Sequence, residues 1–153
     1  MIVVSGTSCI SNLLTIGHVD LLSQLFGDVI IPPAVDAELR RFHKEIPNFI
    51  TVRVPSKIEN VARLAREADI GEAQAIALAH ELKADRLLID EKRGRTVAVR
   101  EHLTVIGVVG ILLVAKTKGL IFSVKPVIDR LEKEAGFRLS ANVKKAALQQ
   151  AGE

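Results

Sequence analysis

Short apolar runs alternate along the chain with longer stretches in which apolar side chains recur every three or four residues. The runs predict buried strands, and the stretches predict helices that cover them. The predicted strands are residues 2–4, 29–31, 50–54, 86–90 and 104–107. The predicted helices are residues 33–42, 56–68, 71–84, 93–102 and 108–118, with a helical segment at 13–25 that breaks near Gly17 and a basic amphipathic tail. This alternation favours an α/β fold with a mostly parallel central sheet covered on both faces.

Capping signals mark the starts of several predicted helices. The turn at residues 5–8 contains three hydroxyl side chains, one of which should cap the first helix. Ser56 with Glu59 and Asp69 with Glu72 each match a capping box, in which two side chains bind each other's backbone N–H groups. The second box opens an alanine-rich helix. These signals predict where three helices begin.

Length and cysteine content limit the class of protein. A chain of 153 residues needs one hydrophobic core, so we expect a single domain over residues 1–153. The only cysteine, Cys9, cannot form an internal disulfide, which favours a reducing compartment. No secretory signal is expected because the first basic residue is Arg40, and no apolar run reaches the ~18 residues of a membrane-spanning helix. We therefore expect a cytoplasmic protein with no membrane partner.

The charge is unevenly distributed along the chain. Residues 1–39 contain four acidic and no basic residues, so the remainder holds 21 basic against 14 acidic residues, a net charge of +7. A basic surface suits a polyanionic partner, although mild basicity is also common without one. The chain has five Phe and no Trp or Tyr, which argues against recognition of single strands by base stacking. Any nucleic-acid contact should therefore be made to the backbone.

Several common sites are excluded by the sequence. No G-x-G-x-x-G or G-x-x-x-x-G-K-[ST] motif is present, so dinucleotide and P-loop phosphate sites have no basis. His80-Glu81 begins an H-E-x-x-H motif, but Ala84 occupies the position of the second histidine. Cys9 lies at an apolar helix start, where a buried small side chain is favoured over a nucleophile. The remaining candidates are carboxylates.

Three carboxylates are placed where chemistry could occur, and each also has a structural explanation. Strand 86–90 brings Asp90 to the carboxyl edge of the sheet, where ligands bind in parallel α/β folds, although it could be a solvated turn acid. Glu72 could serve only the capping box. Glu38 falls within the apolar stripe of Val35, Leu39 and Phe42, where a carboxylate is costly unless a cation meets it. The alternative for Glu38 is a rim position paired with Arg40 or Arg41.

Taken together, these carboxylates predict a metal site. Carboxylates brought close together repel each other unless a cation neutralises them, and Mg²⁺ or Mn²⁺ prefers oxygen ligands. Such an ion can activate water against a phosphodiester. Three basic residues follow Asp90 and could bind flanking phosphates, or they could form a solvated helix face. They are Lys92, Arg93 and Arg95.

Five blocks of this sequence resemble one known family. They are SGTSCISNL at 5–13, IIPPAVDAEL at 30–39, DIGEAQAIALA at 69–79, LLIDEKRGR at 87–95 and GLIFSVKP at 119–126. Over nearly the whole chain the sequence is similar to the PIN-domain nucleases, in particular to a compact group related to the VapC-type toxins of toxin–antitoxin pairs. The resemblance implies a three-layer α/β/α domain that binds Mg²⁺ or Mn²⁺ and cleaves RNA. It also implies a small protein antitoxin as partner.

The resemblance assigns roles to particular residues and breaks at one of them. Glu38, Glu72 and Asp90 match the second, third and fourth acidic positions of the family, as catalytic residues and metal ligands. The first acidic position, an Asp that binds the metal directly, is Gly6 in this chain. A smaller departure is Cys9, where Pro is expected. Gly6 could mark an inactive homologue, a loss-of-function change selected because the nuclease is toxic, or a rearranged site that uses Glu91.

Three functions are consistent with this sequence. The first is a PIN-type ribonuclease, the toxin of a toxin–antitoxin pair, with activity weakened or lost. The second is a catalytically inactive PIN module that binds RNA or an antitoxin, which Gly6 favours. The third is a structural α/β domain without a metal. Formation of a homodimer is left open.

Overall fold

The computed structural model describes all residues from 1 to 153. The strands are β1 Val3–Ser5, β2 Val29–Ile31, β3 Ile50–Val52, β4 Arg86–Leu88 and β5 Val105–Ile106. The helices are α1 Thr7–Thr15, α2 Asp20–Phe26, α3 Pro33–Phe42, α4 Ile58–Leu64, α5 Ile70–Leu82, α6 Lys92–Arg100, α7 Val108–Thr117, α8 Lys125–Glu134 and α9 Ala141–Gln150. None of these helices has the length and apolar character needed to cross a membrane.

The five strands form one parallel sheet in the order β3-β2-β1-β4-β5. Central strand β1 pairs with β4 through Val3–Arg86, Val4–Leu87 and Ser5–Leu88. Helices cover both faces of the sheet, because parallel strands need crossover connections and each strand buries side chains on both sides. The predicted three-layer α/β/α architecture is confirmed.

Successive residues of the central strands point into different cores. Val3 belongs to the larger core, which contains buried side chains of α1, α2, α3, α7 and α8. Its neighbour Val4 belongs to a second core, formed with α4, α5 and α6. This division follows from the two-residue repeat of a strand. Both central strands are therefore buried on each face, which explains why their sequences are continuously apolar.

Most predicted elements are present, and the differences lie at their ends. The strand at 29–31 and the helix at 33–42 have the predicted bounds, and the break near Gly17 is a left-handed turn with φ +74°. The first strand lies one residue later than predicted. No hydroxyl caps α1, because its N-cap position is Gly6.

Two further predictions are wrong. Ser56 and Glu59 form no capping box, because α4 begins only at Ile58 and Ser56 instead donates its N–H and hydroxyl to Glu81. Phe42 is 74% exposed, so its predicted place in the buried stripe of α3 is wrong. The helix ends at Phe42, and the ring lies beside the Arg41 guanidinium at 5.8 Å. The stripe therefore stops at Leu39.

Candidate functional site

The order of the sheet places a crevice at the carboxyl ends of β1 and β4. The connections leave β1 in one direction and β4 in the other, and ligands bind at such switch points in parallel sheets. Gly6 directly follows β1, and its N–H donates to the Leu88 carbonyl of β4 at 2.9 Å. Asp90 lies two residues beyond the end of β4. Gly6 and Asp90 therefore lie at the same edge of the sheet, as predicted.

Asp90 is held in place by two donors. Its Oδ1 accepts the Val108 backbone N–H at 3.0 Å, at the first turn of α7, and its Oδ2 accepts the Cys9 thiol at 3.0 Å. Burial, followed by the charge of Asp90, raises the pKa of the Cys9 thiol well above its ordinary value. The thiol therefore stays protonated and donates. A Cβ on Gly107 would lie 2.5 Å from Oδ1, so the carboxylate occupies space that only glycine leaves open.

Glu38 is half-buried and turns toward the start of α1. Its Oε2 accepts the Thr7 hydroxyl at 2.9 Å. Its Oε1 lies so close to Gly71 that a Cβ there would overlap it. Glu38 makes no pair with a basic side chain, and Arg40 pairs instead with Asp36 at 3.0 Å. The alternative in which Glu38 is a rim residue paired with Arg40 or Arg41 is therefore wrong.

The two carboxylate oxygens of Glu72 differ in their hydrogen bonding. The capping box with Asp69 is confirmed, since Asp69 accepts the Glu72 N–H at 2.8 Å and the Asp69 N–H points at Glu72 Oε1 at 3.4 Å. Oε2 is buried, has no hydrogen-bond partner, and occupies the space where a Cβ of Gly94 would lie. Burial, followed by the neighbouring Asp69, raises the pKa of Glu72 from 4.5 to about 7. The capping box therefore accounts for one oxygen and leaves the other without a structural purpose.

The three carboxylates share one local arrangement, and we call them the three seated carboxylates. Glu38 lies against Gly71 in α5, Glu72 against Gly94 in α6, and Asp90 against Gly107 at the start of α7. Each glycine is at the N-cap or in the first turn of its helix, where the helix dipole favours negative charge. The glycines thus admit carboxylates to positions that any larger side chain would close.

The donor set suits a hard divalent ion, but the set is incomplete. All three side chains offer carboxylate oxygens, and the unpartnered Oε2 of Glu72 is the kind of atom that a cation would satisfy. However, the structure gathers no group of three or more His, Cys, Asp or Glu side chains that could hold a metal ion. Gly6 supplies no side-chain oxygen at this edge. The assignment of Glu38, Glu72 and Asp90 as metal ligands stays a prediction.

Three clefts contain Asp90, and two of them also contain Arg138. The α1 cleft, of about 470 Å³, is lined by Thr7, Ser8, Ser11, Asn12, Phe42, Asp90, Glu91 and residues 135–138. The α7 cleft, of about 440 Å³, is lined by Asp90, Arg95, residues 105–107, Val109, Gly110, residues 137–139 and Val143. Asp90 lies in both, whereas Glu38 and Glu72 line neither. The three seated carboxylates thus share an edge of the sheet without sharing one cleft.

Several charged side chains lie near the clefts, and the sequence predicted some of them but not all. Glu91 lines the α1 cleft and accepts the Ser8 hydroxyl at 3.4 Å. Lys92, Arg93 and Arg95 are exposed on the first turn of α6 and form no ion pair. Arg138 lines both clefts and was not identified from the sequence. The sequence around Arg138 contains no motif that indicates a site, because its pattern predicts only a basic amphipathic helix.

Comparison with known proteins identifies one family. A family model described as a PIN domain matches residues 2–153, which is nearly the entire chain. A search of the curated proteins found no match, and neither did a search of the solved structures.

Proposed function

Because the chain belongs to the PIN-domain family, we propose that it is a metal-dependent endoribonuclease whose activity is weakened or lost at Gly6. PIN domains are generally nucleases and typically use divalent metal ions. The main support within this chain is the arrangement of the three seated carboxylates, each admitted by a glycine at a helix start. Carboxylates without compensating cations are costly when partly buried, so their placement favours a ligand over a structural role.

In this proposal Glu38, Glu72 and Asp90 would hold Mg²⁺ or Mn²⁺. The ion, when bound, would supply an activated water and neutralise charge on the phosphodiester. The protein contributes orientation: the thiol of Cys9 and the N–H of Val108 fix the Asp90 carboxylate. The hydroxyl of Thr7 fixes Glu38 in the same way. These donors keep the carboxylates in place before any ligand arrives.

Weak activity follows from the chemistry of position 6. Gly6 removes one carboxylate from the edge, and with it both a ligand and part of the negative field that attracts a cation. We therefore expect binding of divalent ions by the unmodified chain to be weak.

We further propose that the chain is the toxin of a toxin–antitoxin pair, with RNA as substrate and a small protein antitoxin as partner. The support is the sequence resemblance to VapC-type toxins. We place the protein in the cytoplasm, since its only cysteine is a free, buried thiol that suits a reducing compartment.

One observation favours a second function, an inactive PIN module that binds RNA or an antitoxin. Gly6 lacks the side chain of the first acidic position. A module that binds without cleaving would not need that metal ligand. The two functions differ in whether restoring the missing carboxylate restores cleavage.

The deciding experiment is Gly6→Asp. Gly6 has φ −78° and ψ −175°, which any residue can adopt, and a Cβ there would make only an ordinary contact, at 3.6 Å from the Leu88 carbonyl oxygen. Asp is also a favoured N-cap residue, and Gly6 is the N-cap of α1. The variant should therefore fold and should show Mg²⁺- or Mn²⁺-dependent cleavage of a mixed RNA substrate well above that of the unmodified chain.

Three controls accompany this assay. Gly6→Ala adds the Cβ without the carboxylate. Gly6→Asp/Asp90→Ala adds a carboxylate at position 6 but removes that of Asp90. EDTA removes the metal ion. Calorimetry with Mn²⁺ should show tighter binding by Gly6→Asp than by the unmodified chain. If Gly6→Asp folds, binds Mn²⁺ and cleaves no RNA, the binding module replaces the nuclease. If the unmodified chain already binds Mn²⁺ tightly, another residue supplies the missing ligand, and loss of that binding in Glu91→Gln would identify it.

A further inference from the structure

A short ridge between α8 and α9 separates the two clefts beside Asp90. Its residues Phe137 and Arg138 line both the α1 cleft and the α7 cleft. The ridge is anchored by its backbone: Gly136 takes a left-handed conformation with φ +65°, and the Phe137 N–H donates to the Leu131 carbonyl at 3.1 Å. This glycine-based helix ending fixes the chain direction after α8. Arg138 thereby lies at the same two clefts as Asp90.

Four arginines of the chain form ion pairs, whereas the two arginines at these clefts form none. Arg63, Arg100 and Arg130 each pair with a carboxylate. Arg138 and Arg95 are exposed and pair with none. Arg138 lines both clefts and Arg95 lines the α7 cleft. Two free guanidinium groups beside a cleft are suited to bind phosphates, since their planar donors match phosphate oxygens.

The α1 cleft has a different chemistry. Thr7, Ser8, Ser11 and Asn12 line its α1 wall. The Thr7 and Ser8 hydroxyls donate to Glu38 and Glu91, and the Ser11 hydroxyl bonds to His43 Nε2. Each hydroxyl oxygen can still accept a hydrogen bond, and the Asn12 amide can donate and accept, so this wall can contact a ribose 2′-hydroxyl. This cleft is therefore suited to a sugar, whereas the α7 cleft offers Arg95 and Arg138 to phosphates.

We propose that a single RNA strand runs from the α1 cleft across Asp90 into the α7 cleft, and that Arg138 positions the phosphate at the crossing. This inference rests on the proposed function and adds the strand path and a positioning residue to it. Both volumes fall in the range of ~300–1,000 Å³ typical of pockets for small ligands, so each cleft can take one nucleotide. We expect a duplex to bind less well than a single strand, because its bases are paired and stacked and its two backbones are fixed in A-form geometry.

The test measures RNA binding without cleavage. A short, fluorescently labelled single-stranded RNA is titrated with the full chain in EDTA, and anisotropy is recorded at several salt concentrations. Arg138→Gln should bind roughly fivefold more weakly at low salt, the size expected for one exposed charge contact. The slope of log affinity against log salt should fall by roughly 0.7, the value for one phosphate contact on a single strand. Arg138→Lys should recover part of the affinity, because it keeps the charge without the planar donors.

Matched controls separate this role from general charge or folding. Lys118→Gln removes one exposed positive charge at the end of α7, away from both clefts, and should leave affinity and slope nearly unchanged. The melting temperature of Arg138→Gln should equal that of the unmodified chain, because the side chain is exposed and unpaired. A duplex of the same sequence should bind more weakly than the single strand.

The outcomes distinguish this inference from the proposed function. Equal affinity and slope for Arg138→Gln and the unmodified chain would overturn the inference, and so would equal binding of the duplex. Failure of the unmodified chain to bind single-stranded RNA would overturn it as well. The proposed function would still be judged by the Gly6→Asp cleavage assay. A loss of binding in Arg138→Gln without any cleavage by Gly6→Asp would support the strand path and reject the nuclease.

Discussion

Glu72→Gln should stabilise the protein at neutral and alkaline pH in the absence of metal ions. The charged carboxylate is disfavoured because Oε2 is buried without a partner and Asp69 lies beside it. Glutamine keeps the shape of the side chain and still offers an oxygen to the capping box. It therefore mimics the protonated form of Glu72, which the folded state prefers.

The magnitude follows from the pKa of Glu72. Its rise from 4.5 to about 7 is a displacement of about two and a half pH units, and each unit corresponds to about 1.4 kcal/mol. Glu72 is only half-buried, so solvent screening reduces the effect to about 1–2 kcal/mol. For a chain of this length that free energy corresponds to a rise in melting temperature of about 3–6 °C.

The sign depends on pH in a defined window. A carboxyl group whose pKa is raised by folding contributes stability below its unfolded pKa near 4.5, and that contribution is lost as the pH rises through about 7. Thermal unfolding of both proteins in EDTA should therefore give similar melting temperatures at low pH and a higher one for Glu72→Gln above pH 7. Glu81→Gln, at the other end of the same helix, is the matched control. The Ser56 hydroxyl lowers the pKa of Glu81, so its neutralisation should destabilise. If Glu72→Gln were no more stable above pH 7, the reasoning on buried Oε2 would be refuted.

Two further changes test other contacts. Gly94→Ala should lower the free energy of unfolding in urea by about 1–3 kcal/mol, because the new Cβ would overlap Glu72 Oε2 and lie 2.7 Å from the Ile89 side chain. An increase in the free energy of unfolding, as expected for alanine in an unhindered helix, would contradict the close contact between Glu72 and Gly94. Glu153→Gln should lower the melting temperature near pH 7, since the backbone N–H of Val124 and other donors hold the pKa of Glu153 at about 2. The contribution is present above pH 4.5 and lost as the pH falls towards 2, so the two melting curves should converge there.

The elements of the fold were predictable because their signals are local. Pro32-Pro33 stops β2 and starts α3, and the Asp69 and Glu72 side chains set the first turn of α5 within four residues. Ser56 carried an equally good local signal and was wrong, because Glu81, 25 residues away, binds its N–H and hydroxyl. A capping motif predicts a helix start only where no distant side chain offers the same groups a partner.

The candidate site was predictable only in part, for a related reason. Asp90 and Gly6 could be placed at one edge because each follows a buried strand and parallel strands end together. The contacts between the three seated carboxylates and their glycines could not be predicted, because each contact joins residues from different elements. Arg138 was not predicted, because the amphipathic pattern of α8 indicates only which face of that helix is buried. The pattern does not determine the position of the turn that follows the helix. Its position depends on the left-handed Gly136 and on the packing of α8 against the sheet.

The three seated carboxylates and their glycines lower the stability of the fold, and this cost helps to interpret Gly6. Gly71 and Gly94 lie within helices, where glycine is less stable than alanine by about 0.5–1 kcal/mol, and Glu72 keeps a buried oxygen without a partner. Glutamine at position 72 would relieve the second cost, whereas alanine at Gly71 or Gly94 would overlap the Glu38 or Glu72 carboxylate. A local arrangement that opposes stability in this way is typical of a functional site. Gly6, by contrast, removes one carboxylate while leaving the three seated carboxylates, the donors to Asp90 and the backbone of the first turn in place. For the metal site that we propose, a single carboxylate at position 6 is therefore the smallest change that could complete the ligand set.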